Sequence, residues 1–162
     1  MKCEIPRFVP PLRGAARLVG CILLAQCFSA GAQAALGGDV SSVESDRVHL
    51  QAQVRSSVAP AGYTVHEITT PMHSTVREYV SDAGKVFAVS WRGSLLPDLQ
   101  QLLGSYYQAY QAAASAPHLG HRHLQVTAPE VVIRSGGHLR AFYGYAYVPS
   151  LLPTNLSPDD IK

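Results

Sequence analysis

Thr75-Val76-Arg77-Glu78-Tyr79-Val80-Ser81-Asp82-Ala83-Gly84-Lys85-Val86-Phe87-Ala88-Val89-Ser90-Trp91 is the stretch that decides the fold class. Its two arms are rich in Val, Thr, Tyr, Phe and Trp, which suit a pleated, half-buried surface. Between them, Ser81-Asp82-Ala83-Gly84 is turn chemistry: the aspartate bonds its own backbone and the glycine supplies a positive φ. The stretch predicts two antiparallel strands, with Phe87, Val89 and Trp91 at period two on one face. Tyr63–Thr69 has the same composition and is set off by a loop containing Pro71, so the prediction extends to a three-stranded meander.

Downstream, Gly93 ends the third strand and Pro97-Asp98 opens a helix. Proline lacks the N–H that a first turn would leave unpaired, and aspartate suits the positive end of the helix dipole. Leu99, Leu102, Leu103, Tyr106, Tyr110 and Ala113 then fall on one stripe of a helix of about five turns. Gln100, Gln101, Gln108 and Gln111 take the other side, Tyr106, Tyr107 and Tyr110 read as core and core edge, and Pro117 ends the helix. Gly104 inside it costs about 1 kcal/mol relative to alanine. His118 to Ala128 reads as a linker, and Glu130–Ser135 with His138–Val148 as a second hairpin turning at Gly136-Gly137.

The predicted fold is α+β. An antiparallel sheet of about five strands, in the order β-β-β-α-β-β, carries one amphipathic helix on one face. This single domain spans 62–148, and a proline-containing tail follows over 149–162, read as a loop on the surface. Residues 35–61 read as an N-terminal arm of marginal structure. In it Arg47–Arg55 alternates like a strand, while Val43, Leu50 and Val54 also fit a helix for which Ser41 and Glu44 could form a capping box.

Residues 1–34 have the pattern of a cleaved signal peptide. Lys2, Arg7, Arg13 and Arg17 form a basic leader, Leu18 to Ala30 is uncharged, and Ala32-Gln33-Ala34 is a small-x-small site. The uncharged run falls well short of the roughly 20 residues that span a bilayer. Lipidation at Cys21 would leave almost no apolar run ahead of it, and at Cys27 it would meet Gln26 where a small residue is required. Removing the leader removes Cys3, Cys21 and Cys27 together, which leaves no thiolate and no disulfide. Of 13 Lys and Arg, nine remain; of 11 Asp and Glu, ten remain, so the mature formal charge is −1. That balance offers no cationic surface for nucleic acid.

The motifs resemble a known family. Thr75–Ser81 and Gly84–Trp91, with Pro97–Gly104, Ser135-Gly136-Gly137-His138 and Ala141-Phe142, are similar to an uncharacterised secreted bacterial family, domain of unknown function 2844. Ala35-Leu36-Gly37-Gly38 and the closing Asp159-Asp160-Ile161 continue the likeness. The resemblance implies export from a proteobacterial cell and supplies no activity, ligand or catalytic residue.

Candidate chemistry is sparse. His118, His121 and His123 are close enough in sequence for imidazoles to share a metal ion, but no carboxylate or thiol lies nearby to complete the set. No serine, histidine and aspartate stand in a recognised nucleophile spacing. Glu67 with Glu78, or Asp82 with Glu130, would be the carboxyl pairs of a glycosidase, and strand and turn charges account for them more simply. Tyr143, Tyr145 and Tyr147 alternate on one strand and present three rings to one face, a good recognition surface. Burying three hydroxyls would require three acceptors, so the sequence favours these rings opposite the helix.

The function expected is that of an exported, non-enzymatic binding or accessory protein of the periplasm or cell surface. Its expected partner is another envelope protein, with no cofactor and no nucleic acid. A small periplasmic hydrolase is the alternative, and a histidine-based metal-binding protein the third.

Overall fold

A computed structural model describes residues 35–59, 62–116 and 123–161. Within them, helix α1 (Ser41–His49) precedes four strands: β1 (Gln53–Ala59), β2 (Tyr63–Thr69), β3 (Thr75–Ser81) and β4 (Val86–Gly93). Helices α2 (Leu99–Leu103) and α3 (Tyr107–Ser115) follow, then β5 (His123–Thr127), β6 (Val132–His138) and β7 (Ala141–Tyr147). All seven strands join one antiparallel sheet in the order β1-β2-β3-β4-β7-β6-β5. The first four form a meander. The chain then runs through the helices to the far edge and returns, so that β7 closes against β4.

The α+β class and antiparallel sheet agree with the sequence, but there are seven strands where about five were expected. The two additional strands, β1 and β5, are the sheet's edges. β1 carries Arg55, Ser56 and Ser57, and its Val58 is exposed. Edge strands with polar, exposed side chains bury too little to show a strong strand pattern. β5 lies at the end of the histidine-containing stretch that read as a linker.

The single helix expected after Pro97 is two. Asp98 caps α2, its Oδ1 accepting the Gln101 N–H at 3.1 Å. At Gly104 the backbone adopts φ 51° and ψ −120°, which a side chain would resist. A short 3₁₀ turn over Gly104–Tyr106 re-aims the chain into α3.

The second hairpin also turns elsewhere. His138 pairs with Ala141, which puts Leu139-Arg140 at the tip and leaves Gly136 and Gly137 inside β6. Gly136 serves space instead of a turn. A Cβ there would lie 2.9 Å from His123 Nδ1 and 3.0 Å from the Tyr143 hydroxyl, so the glycine makes room for that ring.

The sheet divides two cores. On one face Val76, Val80, Val89, Trp91, Ile133 and Ala146 meet Leu99, Leu102 and Leu103 of α2, together with Leu36 and Val43. Residues 35–43 are fastened there: the Gly37 N–H donates to the Val86 carbonyl at 2.8 Å and Lys85 Nζ pairs with Asp39 at 2.9 Å. On the other face Tyr79, Phe87 and Ala88 meet Leu156 and Ile161 of the C-terminal tail. Phe87 was expected beside Val89 and Trp91. Tyr79 instead pairs with Ala88 and Val80 with Val86, so Phe87 is the extra residue of a bulge and turns to the tail side.

Candidate functional site

The tail-covered face places charged and aromatic side chains in register. One row across the strands reads Glu67, Arg77, Ser90, Tyr145, Arg134, and the next Thr75, Arg92, Tyr143, Gly136. Cross-strand partners share a face and stand within reach of each other. Arginine and tyrosine therefore alternate across three adjacent strands, β4, β7 and β6.

Each group is held differently. The Arg77 Nε donates to Glu67 Oε2 at 2.8 Å, and that hydrogen bond holds the guanidinium pKa above its ordinary value. The Arg134 guanidinium lies 5.9 Å from the centre of the Tyr145 ring, within range of a cation–π contact. Arg92, opposite Tyr143, is exposed. Tyr143 is 45% exposed and its ring lies 6.5 Å from that of His123. Tyr145 and Tyr147 are half-buried and stacked, with centroids 6.4 Å apart.

The tail closes one side of this surface. Ser157 caps a 3₁₀ turn over Pro158–Asp160, accepting the Asp159 N–H while Asp160 accepts the Ser157 N–H. Ile161 beyond it is buried beneath. Between tail and sheet runs a groove of about 790 Å³, lined by Arg77, Arg92, Arg134, Tyr143, Tyr145 and Asp159 among others. That volume is in the range of ligand sites, which are concave with a few convergent polar groups.

The three tyrosines singled out from sequence thus share the face opposite the helices, with Tyr143 and Tyr145 in the groove and Tyr147 stacked on Tyr145 and packed against the core beneath the tail. His118 and His121 lie outside the described residues. His123 is on β5 beside Tyr143, and among the described residues no three His, Cys, Asp or Glu are placed to hold a metal ion. Glu67 and Glu78 stand on paired strands but on opposite faces and do not form a pair: Glu67 lines the groove while Glu78 faces the helices. Sequence reading passed over Arg77, Arg92 and Arg134. The available signal was their period-two position in strands whose neighbours carry tyrosine, but only the pairing order brings them to one patch of two adjacent rows.

Nucleophile chemistry is not assembled in the groove. Ser90 is 4% exposed and its hydroxyl lies 3.5 Å from that of Tyr79; His73 also lines the groove, but among the described residues no histidine is hydrogen-bonded to Ser90. A serine–histidine hydrogen bond does exist, Ser56 Oγ to His66 Nδ1 at 2.7 Å, at the β1 edge on the helix side. Among the described residues no third group orients the imidazole: Glu78, directly across from His66, receives no hydrogen from it.

A family model described as "Protein of unknown function (DUF2844)" matches residues 32–161. The chain belongs to that family. The match takes in every strand, both cores and the tail that borders the groove. No curated protein and no solved structure matches the chain. Membership of DUF2844 assigns no chemistry. No described helix is long and apolar enough to cross a membrane.

Proposed function

We propose that this DUF2844 protein is a non-enzymatic binding or accessory protein of the bacterial envelope, exported on the leader of residues 1–34. Its groove takes an acidic segment of another envelope protein. The observation that carries this reading is the alternation of guanidinium and phenol: Arg92 beside Tyr143, and Arg134 over Tyr145. Tyrosine and arginine are the side chains enriched at the anchoring points of protein interfaces. A guanidinium offers a carboxylate two parallel donors, and the rings beside it supply apolar contact. The groove holds three guanidiniums against two carboxylates, Glu67 and Asp159, and Glu67 is already engaged by Arg77.

Affinity capture from the envelope tests this. Arg92→Glu combined with Arg134→Glu should lower recovery of the partner by more than about tenfold, since a hydrogen bond to a charged group contributes roughly 1.5–3 kcal/mol. Both positions are exposed, so stability should move by no more than about 0.5 kcal/mol at Arg92 and about 1 kcal/mol at Arg134, whose contact with Tyr145 is lost. Undiminished recovery by the double variant would dismiss the groove as the binding face.

A further inference from the structure

The helix-covered face holds a polar feature that the groove does not use. Asp46 of α1 and Glu78 of β3 are both 0% exposed. Asp46 Oδ1 accepts from Gln101 Nε2 at 2.6 Å, so Gln101 faces inward and not to solvent as its place on the helix suggested. Asp46 Oδ2 and both Glu78 oxygens receive no N–H or hydroxyl. The ionisable group against Glu78 is the Asp46 carboxyl itself. Two carboxyls can hydrogen-bond only if one keeps its proton, and two buried carboxylates side by side repel without water to screen them.

Among the described residues no cation takes the proton's place. His49, also on α1, reaches Asp98 at the head of α2 at 3.2 Å, and the Asp98 charge opposes its pull on Asp46. His66 on β2 lies across from Glu78 but is bonded to Ser56, and burial holds its pKa below the ordinary value. From β4 the partner is Val89, and Glu78's neighbours Arg77 and Tyr79 belong to the opposite face.

We propose that Asp46 and Glu78 form a proton latch, in which one shared proton fastens helix α1 to the sheet and its loss releases the helix. Proton sharing explains why two acids from distant parts of the chain are buried together with three oxygens lacking any other donor. The pair also joins two elements directly: α1 carries Asp46, the sheet carries Glu78, and Gln101 of α2 braces the first.

The direction of the pH response follows. Burial first, then the Asp46 charge, pushes Glu78 from 4.5 up to about 9, and burial raises Asp46 as well. The docked form therefore holds an extra proton between those values. Docking is strongest below the lower one, weakens as pH rises between them, and is weakest above the upper. His66 acts oppositely: its lowered pKa adds stability above 6.5 that is lost as pH falls through the folded value. The latch is consequently read on the alkaline side, clear of the histidine.

The test is trypsin cleavage after Arg47, within α1, on the full chain at pH 7 and pH 9. Rates are normalised to an unstructured arginine peptide at each pH. In the wild type the normalised rate should rise more than about tenfold across that interval. In Glu78→Gln, whose amide donates to Asp46 without titrating, it should stay flat; Asp46→Asn leaves Glu78 buried and titrating without the neighbouring charge, so its rise should be smaller than the wild type's. A cooperative melt at pH 7 shows that each variant folds, and either one suffices. A flat wild-type profile, or a rise of equal size in a folded variant, overturns the latch. The outcome is independent of the groove, which lies on the other face.

Discussion

Leu102→Ala is expected to lower the unfolding free energy by about 2–5 kcal/mol, as for other large-to-small changes in a well-packed core. Leu102 is fully buried in the cluster that joins α2 to the sheet, and its carbonyl accepts the Leu36 N–H at 3.1 Å. The surrounding residues come from separate elements: Leu36 and Val43 from the N-terminal segment, Val76 and Val89 from the meander, and Ile133 and Ala146 from the second hairpin. A cavity at Leu102 cannot be closed by moving one of them alone. Urea denaturation should show the midpoint falling with little change in slope. Gln108→Ala, on the exposed side of α3, should stay within about 0.5 kcal/mol. Equal, small effects at both positions would mean that the helices do not pack on the sheet.

Phe87→Ala is expected to cost about 3–5 kcal/mol, and the loss should depend on the C-terminal tail. The ring meets Tyr63 edge-on at 5.8 Å and Tyr79 at 6.1 Å, in the cluster that Leu156 and Ile161 cover. Deleting residues 153–162 opens that cluster. In the shortened chain the same substitution should cost markedly less, a non-additivity expected of groups in contact. Were Phe87 beside Val89 and Trp91, as simple alternation implies, the tail would make no difference. Denaturation of the four chains (parent, substitution, truncation and both) decides the matter.

The parts of the fold legible in the sequence were those with a strong, local and one-sided pattern. The central strands β2, β3 and β4 and the Leu99–Leu103 turn announced themselves through β-branched and aromatic runs and a capped apolar stripe. The edges gave only short alternations, over Arg47–Arg55 and within His123–Thr127, because β1 and β5 bury little. Three local features reversed their first reading for a tertiary reason. Gly104 broke the helix because its backbone adopts a positive φ, and Gly136 is in a strand because the Tyr143 ring occupies the space of its missing side chain. Phe87 changed face because one residue was inserted opposite Tyr79 and Val80. The candidate site was half legible. Alternation placed Tyr143, Tyr145 and Tyr147 on one face, but the arginines beside them come from strands far apart in the chain. Knowing that β7 lies between β4 and β6 is what unites Arg92, Tyr143, Tyr145 and Arg134. Asp46 and Glu78 were beyond reach for the same reason, 32 positions apart in sequence and joined only when α1 folds back over the sheet.

The groove as a protein-binding face is tested most directly by photo-crosslinking in the producing cell. A photoreactive phenylalanine analogue takes the place of Tyr143, which is exposed at the groove, or of Leu139, which is 82% exposed at the hairpin tip outside it. The account predicts one discrete, light-dependent adduct with another envelope protein from position 143, lost when Arg92→Glu and Arg134→Glu are added, and none from position 139. Adducts of equal yield from both positions, or an adduct from 143 indifferent to the two arginines, would contradict it.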